Sequence, residues 1–488
     1  MPIFIYNSLS RKKEELILLN PLKPKEIKMY VCGPTVYDQP HIGHARSAYV
    51  FDVIRRYLKY KGYEVKFVRN VTDVDDKIIN KAQVEFQGED LNTAVGKVAT
   101  KYLDLYHEDM KSLGILEPDV EPKATEYVTK NNPLMQKFIS SLIEKGCAYV
   151  SEGDVYFDIK KAKGYGKLSN QAIEKMESGA RIALGEKKND PLDFALWKAA
   201  KVGEPAWDSP WGRGRPGWHI ECSVMSSDIL GDEFDIHGGG IDLIFPHHEN
   251  EIAQSEGAGK KFARYWIHHG LLTINGQKMA KSLGNFITVK DFLDKYKNAD
   301  YLKLLFLSTH YLHPVDYTEE KVQEAKQAYE RIIILKKRLE NKYGGIAPGG
   351  YSLSETIEDG GGYLDPFKEQ FIKYMDDDFN TPRALSVLFD MINRCNKILD
   401  ANKDYDESIR LPYALDTMRK MSDILGFSFL EEMLTEVSDG EVCSLVILRK
   451  NYKLEKKFKE ADEIRKRLEE KGVIIEDTKD GPTWRRKL

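Results

Sequence analysis

Residues 29–44 read MYVCGPTVYDQPHIGH, and this stretch decides which fold the sequence predicts. An apolar strand over 29–37 contains a Gly-Pro turn, and a helix is predicted over 42–61 because apolar pairs recur there at helical spacing. A second strand is predicted over 63–73. The order strand, helix, strand is typical of a parallel α/β sheet.

Two histidines stand where the predicted helix begins, in His41-Ile42-Gly43-His44. A helix N-terminus favours phosphate because its N–H groups are unpaired and its dipole is positive there. Gly43 lets a nucleotide approach the backbone, and His41 and His44 can donate hydrogen bonds to an α-phosphate as charge builds up on it. Taken alone, the motif also fits two helix-capping histidines.

A second motif, KMAKSLGN over 278–285, follows a strand predicted at 270–276. Lys278 and Lys281 can close over a triphosphate and neutralise departing pyrophosphate. By themselves they also fit a solvated lysine loop. Together, however, HxGH and KMxKS in one α/β chain resemble the class I aminoacyl-tRNA synthetases, with Ala280 as a mild departure from the usual motif.

A third group of residues has the chemistry of a metal site. His247 and Glu251 are four residues apart, so on a helix they share one face and can chelate one ion. Cys222 and Cys32 could complete a zinc site of two thiolates, one imidazole and one carboxylate. The alternative is that the cysteines are small core hydrophobes, because there is no CxxC pair. A metalloprotease HExxH helix is excluded, because Ile252 occupies the position of its second histidine.

Sequence blocks spread over almost the whole chain resemble the bacterial-type cysteinyl-tRNA synthetases. They are YVCGPTVYD, RNVTDVDDKI, DPLDFALWK, WHIECS, DIHGGGIDLIFPHHENEIAQSE, KMAKSLGN, MDDDFNTPRAL and GPTWRRK. The resemblance implies one zinc ion per chain, held by Cys32, Cys222, His247 and Glu251. Zinc keeps an open position and binds a substrate thiol as thiolate, so serine is rejected without an editing domain.

The resemblance also implies roles for other residues. The implied cysteine-binding residues are Thr72, Trp218, His237 and Asp242, with Asp242 facing the ammonium group. The implied ATP-binding residues are Gly43, His44, Gly238, Gly239 and Lys281, and the catalytic ones are His41, His44, Lys278 and Lys281. Structural alternatives stay open: Trp218 as a core aromatic residue, and the glycines of 238–240 as a tight turn.

The expected reaction has two steps. ATP, with Mg²⁺, and L-cysteine form cysteinyl-adenylate and pyrophosphate; cysteine then passes to the terminal adenosine of tRNA-Cys. Three rivals are a cysteine ligase acting on an amino-sugar, a small HxGH adenylyltransferase and a catalytically silent RNA-binding paralogue. The basic C-terminal end disfavours the amino-sugar ligase, and the zinc pocket disfavours the small adenylyltransferase. The two intact motifs disfavour the silent paralogue.

The chain is too long for one hydrophobic core, having 488 residues of which 42% are hydrophobic. We expect a Rossmann-like α/β catalytic domain in two halves (1–118 and 226–316) around an inserted connective domain (119–225). A helical bundle (317–435) and a small anticodon-binding module (436–488) follow. The resemblance favours a monomer.

Charge and composition restrict the partners and the compartment. Residues 449–488 hold 14 Lys/Arg and 9 Asp/Glu, which gives this end a net charge of +5. Since the whole chain has a net charge of −4, the other 448 residues carry −9. A basic end fits a polyanion, and Trp484, Arg485 and Arg486 are the candidates for anticodon contacts, since arginine and an aromatic ring supply phosphate contacts and stacking. The alternatives are a solvated amphipathic helix and, for Trp484, a structural tail anchor. Without an apolar span, a leader or a disulfide framework, we expect a cytoplasmic protein with no membrane contact.

Overall fold

The computed structural model describes residues 2–171, 188–280, 283–343, 365–401, 411–428, 439–470, 473–478 and 481–486. The chain divides into two compact units, Met1–Ser428 and Phe429–Leu488. Among the described helices, none is both long and apolar enough to span a membrane.

The described elements alternate between strand and helix in the first part of the chain and become helical later. The strands are β1 Phe4–Asn7, β2 Lys12–Glu15, β3 Glu26–Val31, β4 Glu64–Arg69, β5 Ala148–Ser151, β6 Asp154–Phe157, β7 Phe194–Ala199, β8 Gly214–Pro216, β9 Glu233–Gly240, β10 Phe262–His269, β11 Leu272–Ile274, β12 Gln277–Lys278, β13 Val315–Tyr317, β14 Val473–Thr478 and β15 Gly481–Arg486. The helices are α1 Ile42–Tyr60, α2 Asp76–Glu85, α3 Leu91–Ser112, α4 Leu134–Glu144, α5 Trp218–Leu230, α6 Glu249–Gly257, α7 Val289–Tyr296, α8 Ala299–Leu307, α9 Glu319–Tyr343, α10 Asp365–Asp376, α11 Thr381–Ala401, α12 Leu411–Leu425, α13 Asp439–Leu454 and α14 Phe458–Glu470.

The centre of the larger unit is a four-stranded sheet in the order β10-β9-β3-β4, and every neighbouring pair is parallel. Helix α1 connects β3 to β4 and buries a face that includes Phe51, Ile54 and Leu58. Strand β9 is buried along nearly its whole length. The order strand, helix, strand in the sequence predicted this sheet. The predicted α/β class is therefore confirmed.

The chain between β4 and β9 adds an antiparallel sheet in the order β5-β6-β7-β8 and the helices α2 to α5. Its apolar residues, Phe157 and Trp197 among them, belong to one core cluster with Phe234 and Trp266 of the central sheet. Helix α5 runs past position 225, the predicted end of the insertion. The chain between β4 and β9 and the central sheet thus share a core, and α5 carries Cys222 into it.

The helices α9 to α12 are tied to the catalytic sheet by buried carboxylates. The hydroxyl of Tyr57, on α1, donates to Asp376 at 2.6 Å, and the hydroxyl of Tyr311 donates to Asp378 at 2.6 Å. Both aspartates are nearly inaccessible to solvent. The contact of Tyr57 fixes the helical region against α1, and the contact of Tyr311 fixes it against the segment that follows α8.

The smaller unit contains α13, α14 and an antiparallel hairpin of β14 and β15. Its core includes Val442, Leu468 and Val473, and Trp484 packs against this core while staying partly exposed. In the hairpin, Arg485 is the Cα partner of Ile474 and Arg486 that of Val473. Trp484 therefore contributes to the fold of this unit.

Candidate active site and metal centre

A cavity of about 380 Å³ opens where β3 and β9 end and α1 begins. The residues lining it include Cys32, Gly33, Pro34, His41, Gly43, His44, Ser47, Gly240, Asp242, His269, Leu272, Thr273, Lys278 and Met279. Ligands of open parallel sheets bind outside the carboxyl ends of the strands, which is where this cavity lies. The structure thus brings both sequence motifs to one cavity.

His41 is the N-cap of α1. Its Nδ1 accepts hydrogen bonds from the backbone N–H groups of Gly43 (3.1 Å) and His44 (3.3 Å), and the Nδ1 of His44 accepts from the backbone N–H of His41 (3.2 Å). The two rings stack with their centroids 3.7 Å apart. The histidines therefore cap the helix, as the structural alternative held, and still line the cavity.

These backbone contacts fix where each neutral imidazole carries its proton. Since Nδ1 of both His41 and His44 accepts a hydrogen bond, the proton of each neutral ring lies on Nε2. Burial, and secondarily the nearby His41 and Lys77, lower the pKa of His44 to about 3. His44 is consequently a neutral hydrogen-bond donor at physiological pH.

The glycines near the cavity differ in what their missing side chains allow. A Cβ at Gly238 would lie 2.3 Å from the ring of Phe51, and one at Gly239 would lie 2.8 Å from the ring of His248. At these two positions the packing of protein side chains already requires glycine. Gly240 differs from these two because it lines the cavity. Gly43 also lines the cavity, and a Cβ there would lie 2.8 Å from the ring of His41.

The lysine motif begins at the end of β12. Lys278 is exposed and lines the cavity, and its carbonyl accepts a hydrogen bond from Asn285 (3.2 Å). Asn285 also accepts from the backbone N–H of Ala280 (2.8 Å), so it closes the loop. Lys281 lies outside the described residues.

The four predicted metal ligands meet beside the cavity. One ligand atom each from Cys32, Cys222, His247 and Glu251 lies within 4.8 Å of all the others. The two sulfurs are 3.6 Å apart, and His247 Nε2 is 2.9 Å from Glu251 Oε1. The predicted i,i+4 pair does meet, although α6 begins only at Glu249, after an irregular turn over Ile244–His248.

The electrostatics of this cluster favour anions at Cys222 and Glu251, whereas burial, and secondarily Cys222, raise the pKa of Cys32 well above its ordinary value. Burial raises the pKa of Cys222, but the contacts with Cys32 and His247 lower it more, to about 6. Burial likewise raises the pKa of Glu251, but His237 and His247 hold it well below its ordinary value. Burial lowers the pKa of His247, whereas Glu251 and Cys222 raise it to about 10. The cluster thus holds a proton on His247 that a cation would displace.

Sequence reasoning missed one histidine of this centre. His248 Nε2 lies 3.3 Å from Cys32 Sγ, and Cys32, His237, His248 and Glu251 form a second, overlapping set of candidate ligands. The Nδ1 atom of His248 contacts His268 Nε2 at 2.8 Å. The signal was the doubled histidine in HHENE, of which only the first follows the i,i+4 spacing to Glu251.

Two of the four implied cysteine-binding residues, Trp218 and His237, contact this centre. Trp218 is 38% exposed, and its ring stacks on His247 at 4.1 Å, so it is not a core aromatic residue. The buried hydroxyl of Thr72 donates to Glu221 at 2.6 Å, and His237 Nε2 contacts Glu251 Oε2 at 2.7 Å. Asp242 is exposed at the cavity wall.

Comparisons with known proteins show the family of this chain. Residues 18–327 match the family model described as tRNA synthetases class I (C) catalytic domain, and residues 370–430 match the DALR domain. A cysteine–tRNA ligase from Aquifex aeolicus (strain VF5) is 46% identical over 100% of this chain and 99% of its own length. The chain belongs to the cysteine–tRNA ligase family. Another member, from Geobacillus sp. (strain WCH70), is 47% identical over 99% of both chains.

The fold also resembles that of solved class I enzymes. The methionyl-tRNA synthetase of Mycobacterium tuberculosis in complex with methionyl-adenylate has a TM-score of 0.60 over 82% of this chain and 90% of its own. Only 14% of the aligned residues are identical, so this likeness shows the fold alone. It confirms the predicted parallel-sheet architecture of this chain.

Proposed function

We propose that the chain activates L-cysteine with ATP and transfers it to the 3′-terminal adenosine of tRNA-Cys. The observation that carries the proposal is the position of Cys32. It lines the cavity that contains His41 and His44, and it also belongs to the candidate metal cluster. A substrate cysteine whose thiol is bound by the cluster would therefore place its carboxylate next to the N-terminus of α1, which favours phosphate.

In the first step the cysteine carboxylate attacks the α-phosphorus of ATP, and pyrophosphate leaves. The Nε2–H groups of His41 and His44 donate to the α-phosphate oxygens as charge develops, while Lys278 and Lys281 hold the departing pyrophosphate, with Mg²⁺. No side chain acts as nucleophile, so the residues accelerate the step by positioning and charge stabilisation. ATP is proposed to approach the backbone at Gly43, Gly238 and Gly239. At Gly238 and Gly239 protein side chains pack against the glycine, so only the peptide groups there can contact ATP.

The donor set fits zinc. In a tetrahedral site with Zn–S bonds of about 2.3 Å, two sulfurs lie about 3.8 Å apart, close to the observed 3.6 Å. Two cysteines, one histidine and one carboxylate are ligand types that zinc takes. When bound, zinc would supply a thiophilic Lewis acid that favours a substrate thiolate over the hydroxyl of serine. His219 Nδ1 lies 3.0 Å from His247 Nδ1 and keeps Nε2 of His247 turned to the ligands.

Four residues are proposed to hold the rest of the amino acid. Asp242, exposed at the cavity wall, faces its ammonium group. Trp218 covers the cluster from the solvent side through its stack on His247. Thr72 and His237 are buried and each bonded to a glutamate, so their remaining atoms are held in fixed orientation. A fixed pocket of this kind is what discrimination by a specific polar bond requires.

The second step needs tRNA, and three features support it. The match to the DALR domain, the full-length match to tRNA ligases and the basic C-terminal end (449–488) all disfavour the amino-sugar ligase. Trp484, Arg485 and Arg486 are the proposed anticodon contacts. We further propose that the chain acts in the reducing cytoplasm, because the two cysteine ligands must stay reduced. We also propose that it acts as a monomer, as the resemblance implies.

The test is ATP–pyrophosphate exchange with each of the twenty amino acids, with zinc quantified on the same sample. We expect exchange with cysteine alone and about one zinc per chain. Cys222→Ser should lower bound zinc and weaken cysteine binding far more than ATP binding. Full zinc occupancy together with normal cysteine affinity in that variant would contradict the ligand assignment.

A further inference from the structure

The side chain of His269 forms part of the cavity wall where β10 ends. It is 6% exposed, and its Nδ1 lies 2.9 Å from the carbonyl oxygen of Gly270. A carbonyl oxygen only accepts hydrogen bonds, so Nδ1 carries the proton of the neutral ring and Nε2 keeps a lone pair. Among the residues that the structure describes, no donor lies at hydrogen-bond geometry to Nε2. His269 therefore presents an acceptor at the cavity wall.

This acceptor stays available at physiological pH. Burial, and secondarily the guanidinium of Arg46, lower the pKa of His269 to about 4, so the ring is neutral. Nearly all buried polar groups in proteins have a hydrogen-bond partner, and leaving one without a partner costs free energy. A ligand that donates an O–H or N–H group to Nε2 would remove that cost on binding.

The two histidines at the end of β10 point to opposite faces of the central sheet, because side chains alternate along a strand. His268 Nε2 contacts His248 Nδ1 at 2.8 Å, and His248 Nε2 lies 3.3 Å from Cys32 Sγ, so His268 faces the metal cluster. The ring of His269 meets the ring of Phe51 edge to face, with centroids 6.2 Å apart. His269 therefore faces α1, the helix at whose start the phosphate of ATP is proposed to bind.

The cavity follows one face of α1. Its lining includes His44, Ser47, Ala48 and Phe51, which recur at helical spacing. Phe51 is seven residues after His44, so the two lie about 10 Å apart along the helix axis. The nucleoside of an ATP whose α-phosphate contacts His44 spans a comparable length, and the ring of His269 stands at the Phe51 end. His269 therefore lies beside the part of the cavity that suits the nucleoside.

Gly240 leaves space next to this ring. A Cβ at Gly240 would meet Asp242 Oδ1 and would lie 3.5 Å from His269 Cε1, the ring carbon bonded to both nitrogens. Because glycine has no side chain, this space is bounded by two acceptors, a carboxylate and an imidazole. Asp242 is proposed above to face the ammonium group of cysteine. Nε2 of His269 is then the acceptor that remains for ATP.

We propose that Nε2 of His269 accepts a hydrogen bond from the nucleoside of ATP, which makes His269 a further substrate-binding residue. The nucleoside carries two kinds of neutral donor, the ribose hydroxyls and the 6-amino group of adenine, and either kind satisfies Nε2. The inference rests on the proposed function only for the identity of the ligand as ATP. With the amino group as the donor, His269 would also disfavour a purine that carries a carbonyl at position 6, because two acceptors would then face each other.

The test measures nucleotide binding to the full-length chain by calorimetry, with Mg²⁺ and without tRNA. Four nucleotides are compared: ATP, 2′-deoxy-ATP, 3′-deoxy-ATP and the purine riboside triphosphate that lacks the 6-amino group. We expect the analogue that lacks the donor to bind the parent about 3–10-fold more weakly than ATP, the loss of one neutral hydrogen bond. The analogue whose deficit depends on His269 identifies the donor.

Two substitutions of His269 separate its two nitrogens. His269→Asn keeps a donor for the carbonyl of Gly270, because an asparagine amide nitrogen reaches the position of Nδ1, but no amide atom reaches the position of Nε2. In this variant the analogue that lacks the donor should bind as tightly as ATP. His269→Gln places an amide oxygen near the position of Nε2 and should restore part of the discrimination. A residue that only packs would change the affinity for all four nucleotides by one factor.

His268→Asn is the matched control. His268 is 3% exposed and also has a ring nitrogen without a partner among the described residues, but it faces the metal cluster. The affinity ratios among the four nucleotides should therefore equal those of the parent. Equal ratios in His269→Asn and the parent, or a parent that binds all three analogues as tightly as ATP, would overturn the proposal. Failure of the proposed function would show differently, as the expected discrimination by a parent that performs no cysteine-dependent exchange.

Discussion

The rings of His41 and His44 lie face to face, 3.7 Å apart, and the Nδ1 atom of each accepts a backbone N–H at the start of one helix. Capping therefore uses the Nδ1 atoms of both rings, and the proposed contact with phosphate uses their Nε2 atoms. The geometry shows the capping role that the sequence left open, and it is compatible with the proposed catalytic role because the two roles need different atoms.

Substitution of His41 can separate these two roles. Asparagine is among the best N-cap residues, whereas alanine costs about 1 kcal/mol of stability at that position. Neither replaces the Nε2–H donor, so both His41→Asn and His41→Ala should reduce cysteine-dependent pyrophosphate exchange by about 10²–10³-fold. Urea unfolding should show a loss of stability in the alanine variant alone. Near-normal exchange in His41→Asn would mean that this ring is only a cap.

Buried histidines should make the chain sensitive to acid. Burial lowers the pKa of His269 to about 4 from an ordinary 6.5, with Arg46 nearby adding to the effect. As the pH falls below about 6.5 the unfolded chain binds a proton that the folded chain does not, so the free energy of unfolding falls by about 1.4 kcal/mol per pH unit until about pH 4. Replacing His269 with asparagine should remove this contribution, as measured by urea unfolding between pH 7 and 4.5.

His107→Asn provides the control for that experiment. Its hydrogen bond to Glu121 raises the pKa of His107, so this group stabilises the fold below about pH 6.5 and loses that contribution as the pH rises. Removing it should therefore change the pH dependence in the opposite sense from His269→Asn. The same slope change in both variants would show that the titration of His269 is not the cause.

Short-range patterns made the catalytic sheet and its first helix predictable, whereas the metal centre depended on contacts far apart in sequence. The helix over 42–61 followed from apolar spacing, and the strand before it from the apolar residues of 29–37. Nothing local to Cys32 shows that it meets Cys222, because their approach depends on how α5 packs against β3. The resemblance supplied that pairing.

Other features depended on packing that no periodicity encodes. The need for glycine at position 238 comes from Phe51, which lies on another element. The position of His248 at Cys32 depends on the irregular turn before α6, where helical spacing does not apply. Trp484 was a candidate RNA contact with a structural tail anchor as the alternative, and only the core of the smaller unit shows that it packs there while staying partly exposed.

Arg46 connects the catalytic helix to the chain that enters the cavity wall. It is 1% exposed, and its guanidinium donates to the carbonyls of Gly270, Leu271 and His313, each at 2.5 Å. Lysine cannot reproduce this fork, so Arg46→Lys should lower the free energy of unfolding by about 3 kcal/mol. Because Leu271 lines the cavity, the KM for ATP should rise more than the KM for cysteine.

The matched variant for Arg46 is Arg55→Lys. Arg55 is also buried on α1, but its guanidinium donates to the carbonyl of Glu117 and the carboxylate of Asp119, neither of which lines the cavity, and it touches the lining through the ring of Phe67 and not through backbone carbonyls. It should lose stability without a selective change in the KM for ATP. Equal KM effects in the two variants would show that general loosening of α1, and not the anchoring of Leu271, is responsible.

Arg485 and Arg486 lie at the end of β15, in the basic C-terminal end of the chain. Single-stranded nucleic acid affinity depends on salt with a slope of about −0.7 for each phosphate neutralised, so Arg485→Ala with Arg486→Ala should reduce that slope by about 1.4 if both contact the anticodon loop. Cysteine-dependent exchange should not change, since it needs no tRNA, while charging at limiting tRNA should fall. Trp484→Ala is the contrasting variant: since Trp484 packs on the core of this unit, it should lower thermal stability, which the arginine variant should keep. A salt slope equal to that of the parent would assign tRNA binding to other residues, and parallel losses of stability in both variants would assign the arginines to the fold.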